Sequence, residues 1–133
     1  MNVLKGHISK IQTHGSISLV LVTVASTTFS AVVIETPESA SYLKVGNDVN
    51  VLFKETEVVI GKGATDHISL QNKIRGELMD LENGVLLSKL FIKADVGTIT
   101  AMITTKAVKQ LNLINGETVT AMIKTNEIML SPC

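Results

Sequence analysis

The sequence predicts an all-β protein with short helices, built as two tandem five-stranded barrels with one helix per repeat. The first observation behind this is a repeat at constant offset. Asn2, Gly6, Ala31, Gly46, Val49 and Lys54 recur as Asn72, Gly76, Ala101, Gly116, Val119 and Lys124, each 70 positions later. The second is that apolar positions between these identities match in type: Ile8/Leu78, Ile11/Leu81, Val20/Leu90, Val22/Ile92, Val33/Ile103 and Ile60/Leu130. The third is composition. Hydrophobic residues make up 45% of the chain, yet only Phe29, Tyr42, Phe53 and Phe91 are aromatic. The core is therefore aliphatic and rich in branched side chains, which suit strands.

In the first repeat, residues 3–12 and 16–25 alternate and flank Thr13-His14-Gly15, the pattern of a β-hairpin. Residues 28–35 read as a third strand. Thr36, Pro37 and Glu38 then present an N-cap, a first-turn proline and a first-turn acid. The expectation is a helix to about Leu43, stopped by Gly46. Strands at about 48–54 and 57–61 complete the unit. The second repeat reads likewise, with strands at about 73–82, 86–94 and 98–103, a helix at 105–112, and strands at 118–124 and 127–130. Asn83-Gly84 is a hairpin-turn dipeptide and Asn115-Gly116 closes the helix. Five short strands with a helix between the third and fourth is the order of an OB-like barrel. A two-sheet sandwich is less attractive, because each unit has too few strands for two sheets.

The polar linker Gly61-Lys62-Gly63-Ala64-Thr65-Asp66 marks the division, giving repeats at 1–62 and 67–133. Units of that size bury only about 60% of their unfolded surface and are marginal alone. Packing together or oligomerising is the expected remedy.

Composition also narrows function. The 12 basic and 12 acidic side chains balance, and the two halves carry net charges of −1 and +1. A nucleic-acid footprint would need a basic groove with stacking aromatics, so an OB-type nucleic-acid binder is disfavoured. No charged stretch precedes an apolar one at the start, and the most apolar segment, residues 17–25, is too short to span a bilayer. Cys133, the one cysteine, leaves no internal disulfide. These features lead us to expect a cytoplasmic protein without membrane attachment.

No catalytic constellation is present. His7, His14 and His67 are scattered without metal spacing. Gly61-Lys62-Gly63 lacks the spacing of a phosphate-binding loop. An enzyme is not expected. What remains is a set of hydroxyl, amide and cationic residues at element edges: Ser69, Gln71 and Asn72, then Thr104 and Thr105, then Lys124 and Thr125. Such donors suit a small oxyanion. The plainer alternative is that Thr104 or Thr105 caps a helix and Lys124 is a solvated strand end.

Residues 69–130 resemble the Mop-type molybdate-binding domain of the transport-associated OB (TOBE) group. The family's opening Ser-x-Arg-Asn, apolar, basic, Gly is matched by Ser69-Leu70-Gln71-Asn72-Lys73-Ile74-Arg75-Gly76. Its Thr-Ala-x-Ile-Thr is matched by Thr100-Ala101-Met102-Ile103-Thr104. Its closing pattern is matched by Leu111, Leu113, Gly116, Val119, Ala121, Ile123 and Lys124. The first repeat is similar through Asn2 to Gly6, Ala31, Gly46, Val49 and Lys54. The pair is similar to two-domain cytoplasmic molybdate-binding proteins of bacteria.

The resemblance implies that molybdate or tungstate is bound for buffering or storage, with no turnover and no organic cofactor. It implies sites between domains and subunits, commonly in a homo-oligomer that is a trimer of two-domain chains. By matching position, Ser69 and the backbone of Leu70 and Gln71, beside Asn72, would contact one face of the anion. Thr104, Lys124 and Thr125, presented by a neighbouring domain, would contact another, with Lys54 as the first repeat's counterpart. An alternative role is an oxyanion-sensing module acting on a transporter ATPase or transcription regulator. Molybdate's oxygens only accept hydrogen bonds, so several converging donors and few carboxylates are required. Departures weaken the first repeat: the opening serine is missing before Met1-Asn2, and Glu55 stands where the second repeat has Thr125. In the second repeat Gln71 replaces the family's arginine, and Ala107 its serine.

Overall fold

The structure, a computed structural model, describes all 133 residues. Each repeat opens on a long strand, β1 (Asn2–His14) or β6 (Asn72–Asn83). Three more strands follow in each: β2 (Ile17–Val24), β3 (Thr27–Val33) and β4 (Asp48–Phe53) in the first, β7 (Leu87–Ala94), β8 (Gly97–Thr104) and β9 (Thr118–Ile123) in the second. All neighbouring strands run antiparallel. The register slips between Ile8 and Lys10 and, 70 positions on, between Leu78 and Asp80. Both long strands thus carry a bulge at the same place, which bends them so the sheet can curl.

The repeated glycines explain themselves at this bend. A β-carbon on Gly6 would lie 2.4 Å from the Thr23 carbonyl oxygen. On Gly76 it would lie 2.6 Å from the Ile92 side chain. Only glycine lets the backbones approach this closely.

The fifth strands depart from the expectation that each completes its own unit. After β4 and β9 come 3-10 turns, Glu55–Glu57 and Thr125–Glu127. They lead to β5 (Val59–Gly61) and β10 (Met129–Pro132). The sheet orders are β10-β4-β1-β2-β3 and β5-β9-β6-β7-β8. Each repeat therefore lends its last strand to the other's sheet. Five strands per OB-like sheet is as the sequence implied; their ownership is exchanged. The physical reason is that Ile60 and Leu130 occupy equivalent positions, so either sheet edge accepts either strand.

One continuous core results. Ile8, Val20, Val22, Phe29, Val51 and Phe53 join Leu78, Leu90, Ile92, Ile99, Val119 and Ile123 in a single buried cluster. Val58 and Ile128, from the crossing segments, are also buried within it.

The helix expected in the first repeat does not form. Thr36 and Ser39 instead close a single turn on each other: Thr36 N donates to Ser39 Oγ at 2.9 Å and Ser39 N donates to Thr36 Oγ1 at 3.2 Å. Serine hydroxyls compete with helical backbone bonding, and the following Ser41 offers no helical drive. The second repeat does form α1 (Thr105–Gln110), capped when Ala107 N donates to Thr104 Oγ1 at 3.1 Å. One helix per repeat is thus corrected to a helix in the second repeat only. The Asn83-Gly84 hairpin is also longer than a two-residue turn. Gly84 to Leu86 form a loop whose ends are held by Thr105, with its hydroxyl donating to Gly84 O and its N–H to Leu86 O.

Candidate functional site

The exchanged strands create two seams between the repeats, related by the internal symmetry. Each is fastened by an asparagine. Asn72 Oδ1 accepts from Ser30 N at 2.7 Å and its Nδ2 donates to Ser30 O at 2.9 Å. Asn2 does the same with Thr100, both bonds at 2.9 Å. Ser30 and Thr100 are themselves equivalent positions. Both asparagines are buried, so these bonds form away from competing water.

Asn72 is paired with Ile123 in the β6–β9 register. Gln71 and Lys124 flank that pair and so stand at one end of the second sheet. Ser69 and Leu70 precede them on the same approach. Lys124, in extended conformation, starts the Thr125–Glu127 turn, with Glu127 N donating to Lys124 O at 3.0 Å. That turn packs against β3 of the first repeat. The chain therefore gathers Ser69, Leu70, Gln71, Asn72, Lys124 and Thr125 at one seam. Ser69, Gln71 and Lys124 are exposed, while Leu70 and Thr125 are half-buried. Lys124 forms no ion pair, so its ammonium is uncommitted. The Asn72 side-chain amide, in contrast, is taken up by Ser30 and fixes the seam.

Thr104 and Lys54 fall on the other seam. The Glu55–Glu57 turn packs against β8, which ends at Thr104. Thr104 and Thr56 line a largely apolar groove of about 470 Å³ with Val59, Ile60 and Met102. In the sheet order, β6 and β7 separate β9 from β8. Within one chain Thr104 lies at the end of β8, against the Glu55–Glu57 turn, and Lys124 follows β9, before the turn packed against β3. Thr104 and Lys124 of one chain thus stand at different seams; the sequence grouped them as donors presented by a neighbouring domain.

The two seams differ in charge. At the first-repeat seam the Met1 ammonium donates to Glu55 Oε1, and this bond holds the Glu55 carboxyl below its ordinary value. Lys54 is exposed and unpaired, but a carboxylate stands next to it. At the other seam Thr125 offers a neutral hydroxyl in the same place. A third tie lies between the hairpin tips, where Asp95 accepts from Ser26 and from Thr27, the latter at 3.2 Å. The Ser26 bond depresses the Asp95 carboxyl.

Sequence reasoning missed the clamping role of Asn2 and Asn72. The signal was available, because they are among the few identities the repeats share.

Comparison with known proteins bears on this geometry. The family model described as the TOBE domain matches residues 68–130, the whole second repeat up to β10. The second repeat is thus matched by the TOBE domain. A curated relative of the TOBE-containing chain is the molybdenum-pterin-binding protein MopB of Rhodobacter capsulatus, 31% identical over 100 residues. That match covers 72% of this chain and 37% of MopB, so the chain spans little more than a third of that relative's length. Among solved structures, the cytoplasmic molybdate-binding protein ModG, in a crystal form with molybdate bound, is similar throughout. Its TM-score is 0.92 at 26% identity, over 99% of this chain and 96% of that one. That likeness spans both repeats. No helix is long and apolar enough to cross a membrane.

Proposed function

We propose that this chain is a cytoplasmic protein that binds molybdate or tungstate for buffering or storage, without catalysing a reaction. The observation that carries the proposal is the seam at Lys124. An unpaired ammonium there lies beside the approach carrying Ser69 and Gln71, whose amide donates to Ser69 O at 3.4 Å, and just before Thr125, on a turn packed against a strand of the other repeat. A tetrahedral dianion needs converging donors, and charge-assisted bonds contribute roughly 1.5–3 kcal/mol each. The likeness to ModG supports the choice of ligand.

Lys54 and Thr104 mark a second, weaker position at the opposite seam, where Glu55 opposes an anion. Assembly into a homo-oligomer, with a trimer as the expected form, would bring further donors to seams that one chain leaves open. The exposed Ile34, Val85 and Leu86, at 82%, 93% and 79%, support self-association.

Elemental analysis of protein purified from molybdate-supplemented cells tests the proposal. Molybdenum retained through gel filtration, at a fixed ratio to chain, is the expected outcome. Metal-free protein from the same cells would contradict it.

A further inference from the structure

The oxyanion reading leaves one polar cleft unused. On the second sheet the register sets Arg75 opposite Thr120 and Thr120 opposite Gly61, a row across β6, β9 and β5. Thr118, two residues along β9, projects on the same side as Thr120. After Gly61 the linker turns back over this row, held where Lys73 Nζ donates to Thr65 O at 2.7 Å. Between linker and sheet lies a cleft of about 370 Å³, lined by Gly63 to Asp66 with Arg75, Thr118 and Thr120.

Thr65 O is taken by Lys73, but the side chains of Arg75, Thr118 and Thr120 donate to no group of the chain. Arg75 is exposed and enters neither of the two ion pairs. Thr120, largely buried as a residue, lines the cleft, and its hydroxyl is not a buried unpaired group. The equivalent row in the first repeat is Lys5, Asn50 and Ser131. There Asn50 Nδ2 donates to Ser131 Oγ at 3.4 Å, and Asn50 Oδ1 accepts from Cys133 Sγ at 3.7 Å. The second repeat's row keeps open donors where the first repeat's Asn50 is engaged on both sides.

We propose that this cleft binds an amino-acid-sized zwitterion with a phosphate or carboxylate head. Arg75 offers a planar fork of donors suited to such a head. The Thr118 and Thr120 hydroxyls complete its coordination, and Asp66 on the linker receives the ligand's ammonium. The volume suits a small metabolite. The assignment is independent of the oxyanion reading, since none of these residues belongs to the Lys124 seam.

The test is an amide NMR titration with O-phosphoserine, in parallel with inorganic phosphate, on protein held in excess molybdate. Saturable shifts are expected at residues 63–66 and 118–120, with none at Ser69 or Lys124. Arg75→Gln, at an exposed position, should melt like the parent and weaken binding about tenfold or more. Asp66→Asn should weaken O-phosphoserine but leave phosphate unchanged. Absence of shifts around the cleft at millimolar ligand, or undiminished binding in Arg75→Gln, would overturn the proposal. Equal loss of both ligands in Asp66→Asn, or loss of neither, would overturn the role given to Asp66.

Discussion

Asn72 and Ser30 are bound to each other twice, and the bonds cross from one repeat to the other. An asparagine side chain is mimicking a strand partner here, offering one acceptor and one donor to a backbone N–H and C=O. Asn2 and Thr100 repeat the arrangement at the opposite seam. The two repeats are thereby fixed in orientation by the same residues that open each copy's sequence motif.

Replacing Asn72 with Ala removes both bonds and strands two buried backbone groups. The expected loss is about 2 kcal/mol of unfolding free energy. Urea denaturation of Asn72→Ala and Asn2→Ala should show similar losses. A change in Asn72→Ala within error of zero would mean that the seam is held by apolar packing alone.

Strand exchange makes each repeat dependent on the other. A chain limited to residues 67–133 has no β5 to pair with β9, and its own β10 has no β4. An unpaired edge beside a free strand invites pairing with another copy. Such a fragment should therefore run as a dimer or larger in light scattering. A stable folded monomer would show that β10 can turn back onto its own sheet.

The acid side of the stability curve should carry the imprint of three carboxyls. Glu55, Asp95 and Glu117 are lowered by bonds from Met1, Ser26 and Lys62 respectively. A depressed folded pKa adds stability that is complete above the unfolded value and is lost as pH falls through the folded one. Asp95 is exposed and Glu55 and Glu117 are half-buried at the surface, so solvent screening keeps the individual effects small. Melting temperature measured from neutral into acid should fall, and Glu55→Gln should fall less steeply. An identical slope in the variant would remove Glu55 from this account.

The charge difference between the seams predicts an asymmetry in ligand binding. Lys124→Ala should weaken molybdate binding about tenfold or more, and Lys54→Ala less. Glu55→Thr, which gives the first seam the residue of the second, should raise stoichiometry or affinity. Titration calorimetry on the three variants reads both quantities.

Much of the fold was legible in the sequence because the signal was doubled. Strand positions came from alternation, and the bend-forming glycines from identities kept between copies. The ownership of β5 and β10 was not legible for the same reason. Ile60 and Leu130 satisfy either sheet, so pattern alone cannot choose between an edge at home and one next door. The missing helix was a local ambiguity. Thr36-Pro37-Glu38 reads as a helix start, but the Thr36–Ser39 exchange of hydroxyl and amide bonds closes the turn after one cycle. As for the candidate site, the residues were readable one by one. Their division between two seams was not, because it follows from which strand each 3-10 turn packs against.

The central claim is that a small oxyanion binds at the seam where Lys124 meets the other repeat. Calorimetric titration of the intact protein with molybdate, tungstate, sulfate and phosphate tests it most directly. The account predicts saturable heat with molybdate and tungstate, strongly reduced in Lys124→Ala. Heat with none of the four anions, or molybdate binding unaltered by loss of Lys124, would contradict it.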